Sequence, residues 1–195
     1  LIIYFLNMLK VKELKLEGVC ILIPELFEDK RGFFSEIWNQ NSLARSGINI
    51  EMVQENQAYS RQSKTIRGLH FQEPPFAQAK LIRCSRGSIL DVAVDIRKGS
   101  PTYGKWVSEE ISSENRKQIL IPVGFLHGYI TTTPNTEVVY LCSNYYDPKS
   151  EGSVRFDDQD INIDWKINMK DAIISKKDLE APLFNELESP FFYEK

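Results

Sequence analysis

From Val53 to Tyr146 the chain is a succession of short runs rich in β-branched and aromatic residues, cut apart by turn formers. The runs are Val53–Ser60, Thr65–Gln72, Ala79–Ser85, Ser88–Ile96, Lys105–Ile111, Lys117–Pro122, Leu126–Thr132 and Thr136–Asn144. Gly87, Gly99-Ser100-Pro101, Gly104, Gly124 and Pro134-Asn135 punctuate them. No helical pattern long enough for a crossover lies between the runs, which argues against a parallel α/β sheet and for an all-β sandwich or barrel. Helix is predicted only outside this region, as short pieces at Asn41–Ser46 and Lys176–Leu179. No linker or repeat divides the 195 residues, so one domain over 1–195 is expected.

The ends and the composition narrow the function classes. Leu1-Ile2-Ile3-Tyr4-Phe5-Leu6 is apolar but too short to span a bilayer, and lacks the basic start and small-residue cleavage site of a secretion signal. Residues 1–7 read either as translated upstream sequence ahead of Met8 or as an extra edge strand. No other stretch resembles a membrane span. A net charge of −3 gives no support for nucleic-acid binding. Cys20, Cys84 and Cys142 sit among apolar residues without C-x-x-C spacing, which reads as buried free thiols in a reducing cytoplasm.

Strand parity sorts the polar residues. Asp91, Ala93 and Asp95 share one face, opposite Leu90, Val92, Val94 and Ile96; an acidic stripe of this kind ordinarily faces solvent. Tyr140 and Tyr146 share a parity and would face one cavity if their strand ran unbroken. Arg67 and His70 have opposite parity, so they meet only if the backbone bulges, and Gly68 between them is a common mark of a bulge. Gln54, Asn56 and Gln72 are polar residues inside strand patterns, where they bind something or cap neighbouring backbone.

The chemistry concentrates around the two histidines, His70 and His127. His70 has Arg67 and Lys80 close in sequence, and a histidine beside a fixed cation can take a proton and stabilise the anion left behind. Proton abstraction next to a carbonyl is the working hypothesis. Pro122-x-Gly124-x-x-His127 resembles the second signature of the cupin barrels, many of which hold a metal with several histidines. The first signature would need His-x-His, whereas here the slot reads His70-Phe71-Gln72. A full cupin metal set cannot be assembled, and metal-free chemistry is expected.

Taken together, Arg31-Gly32-Phe33-Phe34-Ser35-Glu36, Val53-Gln54-Glu55-Asn56, Arg67-Gly68-Leu69-His70-Phe71-Gln72, Ala77-Gln78-Ala79-Lys80, Asp91-Val92-Ala93-Val94-Asp95-Ile96-Arg97, Ile121 to Gly128, Asn144-Tyr145-Tyr146 and Ile163-Asp164-Trp165 resemble the dTDP-4-dehydrorhamnose 3,5-epimerase family. That family supplies the third enzyme of dTDP-L-rhamnose synthesis. The resemblance runs from about residue 16 to 185. It implies a cupin-type (jelly-roll) β-barrel, a homodimer, no cofactor, and a dTDP-4-keto-6-deoxyhexose as substrate. By position, it implies His70 as the base at C3 and C5, and Tyr140 as the acid on the opposite face. Lys80, with Arg67 and His127, would stabilise the enolate oxygen and hold the substrate. Arg31, Glu36 and Gln54-Glu55-Asn56 fall at nucleotide- and sugar-contacting positions, Tyr146 at the thymine-stacking position, and Glu151 and Lys177 at late binding positions. Asp178 matches the carboxylate that pairs with the base, with Asp91 the other candidate. An epimerase acting on a single carbon and a non-catalytic nucleotide-sugar binder are the alternatives.

Overall fold

The β-type runs become strands almost where the pattern puts them. The computed structural model describes residues 9–194, so the alternatives for residues 1–7 lie outside it. In chain order the strands are β1 (Leu9–Glu13), β2 (Cys20–Pro24), β3 (Phe27–Asp29), β4 (Gly32–Phe34), β5 (Gln54–Ser60), β6 (Ile66–Gln72), β7 (Lys80–Arg86), β8 (Ser88–Asp95), β9 (Trp106–Ser112), β10 (Gln118–Ile121), β11 (Phe125–Thr131), β12 (Thr136–Cys142) and β13 (Glu151–Ser153). Two short helices, α1 (Gln40–Arg45) and α2 (Lys176–Leu179), flank the barrel strands as expected. Asn39 caps α1 by accepting from the amides of Asn41 and Ser42; Ser175 caps α2 by accepting from that of Asp178.

A six-stranded sheet, β1-β2-β10-β7-β12-β5, faces a five-stranded sheet, β13-β6-β11-β8-β9, and all pairings within them are antiparallel. This is the all-β, cupin-type barrel, with β3 and β4 set apart as a separate hairpin. Ile21, Ile82, Ile89, Ala93, Ile111, Ile119, Phe125 and Val138 pack together as a core. A second cluster joins Ile66, Leu69, Val92, Val94, Leu126 and Ile130 to Val154, Phe156, Ile161, Trp165 and Phe191 of the C-terminal segment. Trp165 is pinned there by its indole N–H, which donates to the Phe156 carbonyl at 2.8 Å. The five-stranded sheet is therefore buried on both faces, which is why β8 and β11 read as nearly continuous apolar strands.

Two-sided burial overturns the solvent-facing reading of the acidic stripe. Asp91 and Asp95 are both 0% exposed, because β8 lies between β11 and β9 and its acidic face turns into the protein. Asp95 is a structural acid there. It accepts from Arg97 Nη2 at 2.8 Å, Ser100 Oγ at 2.6 Å and Thr102 Oγ1 at 2.7 Å, closing the loop after β8.

The bulge expected at Gly68 is present. Along β6 and β11, His70 pairs with His127 and Arg67 with Tyr129, so two β6 residues oppose the single Gly128. Gly68 has φ of +120°, and a Cβ there would lie 2.7 Å from both Gly128 Cα and the His127 carbonyl oxygen. Gly68→Ala should cost about 2 kcal/mol or more, from a left-handed φ together with a backbone collision. A lowered urea midpoint at unchanged slope is the expected reading, and wild-type stability would contradict it.

Candidate active site

Between the sheets lie two adjoining hollows of about 480 and 360 Å³ that share His70, Lys80 and Tyr140. The larger is lined further by Arg67, His127, Tyr129, Ile173, Ile174, Lys177 and Asp178. The smaller adds Gln54, Asn56, Gln72, Tyr146 and Glu151. The bulge at Gly68 is what lets Arg67 and His70, of opposite parity, reach one space.

His70 stands on β6 and its Nε2 lies 2.8 Å from Asp178 Oδ1. A carboxylate on Nε2 holds the neutral ring in the tautomer whose Nδ1 carries the lone pair, and Nδ1 has no partner among the described residues. Asp178 is buried, and its other oxygen accepts from the Gly68 amide at 3.4 Å. Burial pushes the Asp178 carboxyl up, but the hydrogen bond and charge of His70 and the Gly68 amide outweigh it and hold the group below its ordinary range. The segment before α2 makes this contact possible: Ile173 pairs with the start of β6 through Ile66 N–H to Ile173 O at 2.9 Å. Asp178, not Asp91, is the carboxylate on His70.

Asp91 instead binds the second histidine, with its Oδ2 at 2.9 Å from His127 Nε2. The Lys80 ammonium, carried by β7 of the opposite sheet, forms no hydrogen bond or ion pair among the described residues. Burial pushes its ammonium down, opposed by the charges of Cys142, Glu151 and Asp91. Tyr140, on β12, rests half-buried against the core, and burial followed by the nearby Cys142 pushes its phenol up, so it is protonated at neutral pH. His70 and Tyr140 thus face one space from different sheets.

Beyond the shared centre the smaller hollow is polar. Tyr146 OH donates to Glu151 Oε2 at 3.1 Å, and Lys177 Nζ is 2.6 Å from the same oxygen. Gln54 accepts from the Tyr146 amide at 2.9 Å and donates to Asn56 Oδ1 at 3.1 Å. Tyr146 arrives differently from its parity: β12 ends at Cys142, and the following loop carries the ring in. Gln72 is a backbone cap, donating to the Phe76 and Tyr145 carbonyls and accepting from the Asp147 amide. Arg67 is also tethered, its guanidinium donating to Ser60 Oγ and the Tyr59 carbonyl.

Three residues expected at substrate-contacting positions lie outside their own chain's cleft. Arg31 is not brought to this cleft; it sits at the β3–β4 turn, clamped to Asp29 at 2.5 Å. Glu36 accepts from Asn39 Nδ2 and Ser42 Oγ beside α1. Glu55 faces the other side of its sheet, near Trp38 and Arg83, because it alternates with the inward Gln54 and Asn56. Tyr129, which sequence reasoning missed, is buried in the larger hollow; its spacing of two from His127 on one strand was the available signal. No three His, Cys, Asp or Glu side chains converge as a metal set among the described residues, and both histidines have Nε2 on a carboxylate.

The family model for dTDP-4-dehydrorhamnose 3,5-epimerase matches residues 13–186. The chain belongs to that family. The enzyme of that name from Salmonella typhimurium is 43% identical over 92% of this chain and 97% of its own length. The crystal structure of dTDP-6-deoxy-D-glucose-3,5-epimerase from Legionella pneumophila, in complex with dTDP-4-keto-L-rhamnose, is similar with a TM-score of 0.90 and 35% identity, covering 96% of this chain and all of that one (100%). A 3'-monoepimerase from Streptomyces bikiniensis, in complex with dTDP-quinovose, is similar at TM-score 0.81 and 34% identity, covering 87% and 85%. No helix of the described residues is long and apolar enough to cross a membrane.

The His70–Asp178 contact has a pH signature. The folded-state carboxyl lies below its ordinary 3.8, so the stability it lends is fully present above that value and is lost as pH falls through the lowered one. Urea unfolding across the acid range should show the wild-type advantage over Asp178→Asn only above that window. The same variant should lose activity by about 10²–10⁴-fold, the scale of an impaired general base. An unchanged turnover would remove Asp178 from the site.

Proposed function

We infer that this chain epimerises dTDP-4-dehydro-6-deoxy-D-glucose at C3 and C5 to dTDP-4-dehydro-L-rhamnose. One observation supports this most: His70 and Tyr140 face the shared hollow from opposed sheets, with Lys80 beside both. A proton α to a ketone is weakly acidic, so its removal needs a base and a cation at the developing enolate oxygen. In this reading His70 Nδ1 takes the proton, the Asp178 carboxylate on Nε2 stabilises the imidazolium that forms until its proton exchanges with solvent, Lys80 stabilises the enolate, and the Tyr140 hydroxyl protonates the carbon from the other face. A raised phenol keeps its proton until a strong base, the enolate carbon, demands it. Tyr146 serves as the platform for thymine, placing the nucleotide along the smaller hollow with Gln54, Asn56, Glu151 and Lys177, while Arg67 and His127 hold the sugar end.

The likeness to a 3'-monoepimerase makes epimerisation at C3 alone the second reading. Incubation with dTDP-4-keto-6-deoxyglucose in heavy water separates them: deuterium at both C3 and C5 by NMR is expected, and deuterium at C3 alone favours the second. His70→Ala should abolish both exchanges while dTDP still binds. Tyr140→Phe should permit exchange with retention and yield no epimerised product. Near wild-type product from either variant would break the assignment of roles.

The functional unit is, in this reading, a homodimer. Phe33 and Phe34 on the β3–β4 hairpin are 58% and 68% exposed, and Arg31 is carried at its tip. Arg31 falls at a substrate-contacting family position yet lies outside its own chain's cleft, which fits a hairpin that serves a neighbouring subunit. Arg31→Ala and His70→Ala chains, each inactive, should regain activity on mixing, since one site of each mixed dimer carries neither change. Failure to complement, with a monomer by sedimentation, would contradict the dimer. The buried free thiols accord with a cytoplasmic location.

A further inference from the structure

Two buried acids on one strand are treated differently. Asp95 meets Arg97, Ser100 and Thr102, which account for both of its oxygens. Asp91 is equally sealed, but only Oδ2 has a partner, His127; Oδ1 is buried without one among the described residues, as is the neighbouring Tyr129 hydroxyl. A carboxylate oxygen left unpaired among Ile89, Ala93 and Ile111 is destabilising, and an apolar residue would pack there at lower cost. No loop is closed by Asp91. What faces it is the cleft floor: His127 and Tyr129 from β11, Lys80 from β7, and Glu109 from β9, the last tied to Lys117.

We propose that Asp91 is a positioning residue for the reaction, holding His127 by Nε2 from behind the cleft. This rests on the epimerase reading above. The carboxylate orients the His127 ring so that Nδ1 is the nitrogen left for substrate. Asp91 itself touches no reacting atom; it acts through His127.

Asp91→Leu fills the site with an apolar side chain but deletes the acceptor for the imidazole N–H, and Asp91→Asn restores an acceptor. Expected for Asp91→Leu are a melting temperature equal to or above wild type, dTDP affinity by calorimetry within about 2-fold, and turnover reduced by about 10²-fold, most of it regained in Asp91→Asn. Unchanged turnover in Asp91→Leu would overturn the proposal, as would a parallel collapse of melting temperature and dTDP affinity, which marks a structural role. Ring-nitrogen NMR of the wild type needs no variant: His127 should carry its proton on Nε2, and a bare Nε2 would overturn the proposal even if Asp91→Leu does not fold. Should the wild type itself fail to exchange deuterium, the epimerase reading falls, while the ring-nitrogen spectrum still judges the Asp91–His127 contact.

Discussion

Where β6 crosses β11 a glycine stands on each strand, and the two backbones pass so closely that neither position has room for a methyl group. Added at Gly68 it would meet Gly128 Cα at 2.7 Å; added at Gly128 it would meet the Arg67 carbonyl oxygen at 2.9 Å. The bulge formed there re-aims the rest of β6, because inserting one residue changes which side chains share a face. Arg67 and His70 consequently line one hollow, and the Gly68 amide is turned towards Asp178. The geometry of the cleft thus begins as a backbone packing constraint.

A second constraint comes from covering the five-stranded sheet. Its outer face is apolar and needs a partner, which the C-terminal segment supplies through Val154, Phe156, Ile161, Trp165 and Phe191. Part of that covering chain, at Ile173, joins the edge of β6 and leads straight into α2. Asp178 therefore reaches His70 because the segment that completes the hydrophobic packing also passes the mouth of the cleft. Two imidazole–carboxylate pairs result, differing in exposure: the His70 side chain is 28% accessible, while His127 is 10% and Asp91 0%. The accessible pair suits proton exchange with substrate, and the sealed pair suits fixed electrostatics, since charge interactions strengthen as water is excluded.

Much of the barrel was legible in the chain because period-two patterning and turn residues act locally. The strands from Gln54 to Cys142 and both short helices lie within a few residues of their expected places. The Gly68 bulge was legible for the same reason, as a glycine between two residues of clashing parity. Less legible were β1 to β4 and β13: β3, β4 and β13 are three residues each, and β2 and β13 also pair with strands far along the chain, β10 and β6. Parity also misjudged Asp91 and Asp95, since alternation identifies a face but not what covers it.

By itself the sequence determined the class of fold, the residues capable of proton chemistry, and the shortage of histidines for a cupin metal set. These follow from side-chain identity and local periodicity. Tertiary structure alone decided the pairings. It gave Asp178 to His70 across 108 residues of chain and Asp91 to His127, set Tyr140 on the sheet opposite His70, and left Arg31, Glu36 and Glu55 outside the cleft. A carboxylate acts on whichever group it reaches within about 3 Å, and such distances depend on how sheets and covering segments pack, which no local pattern encodes.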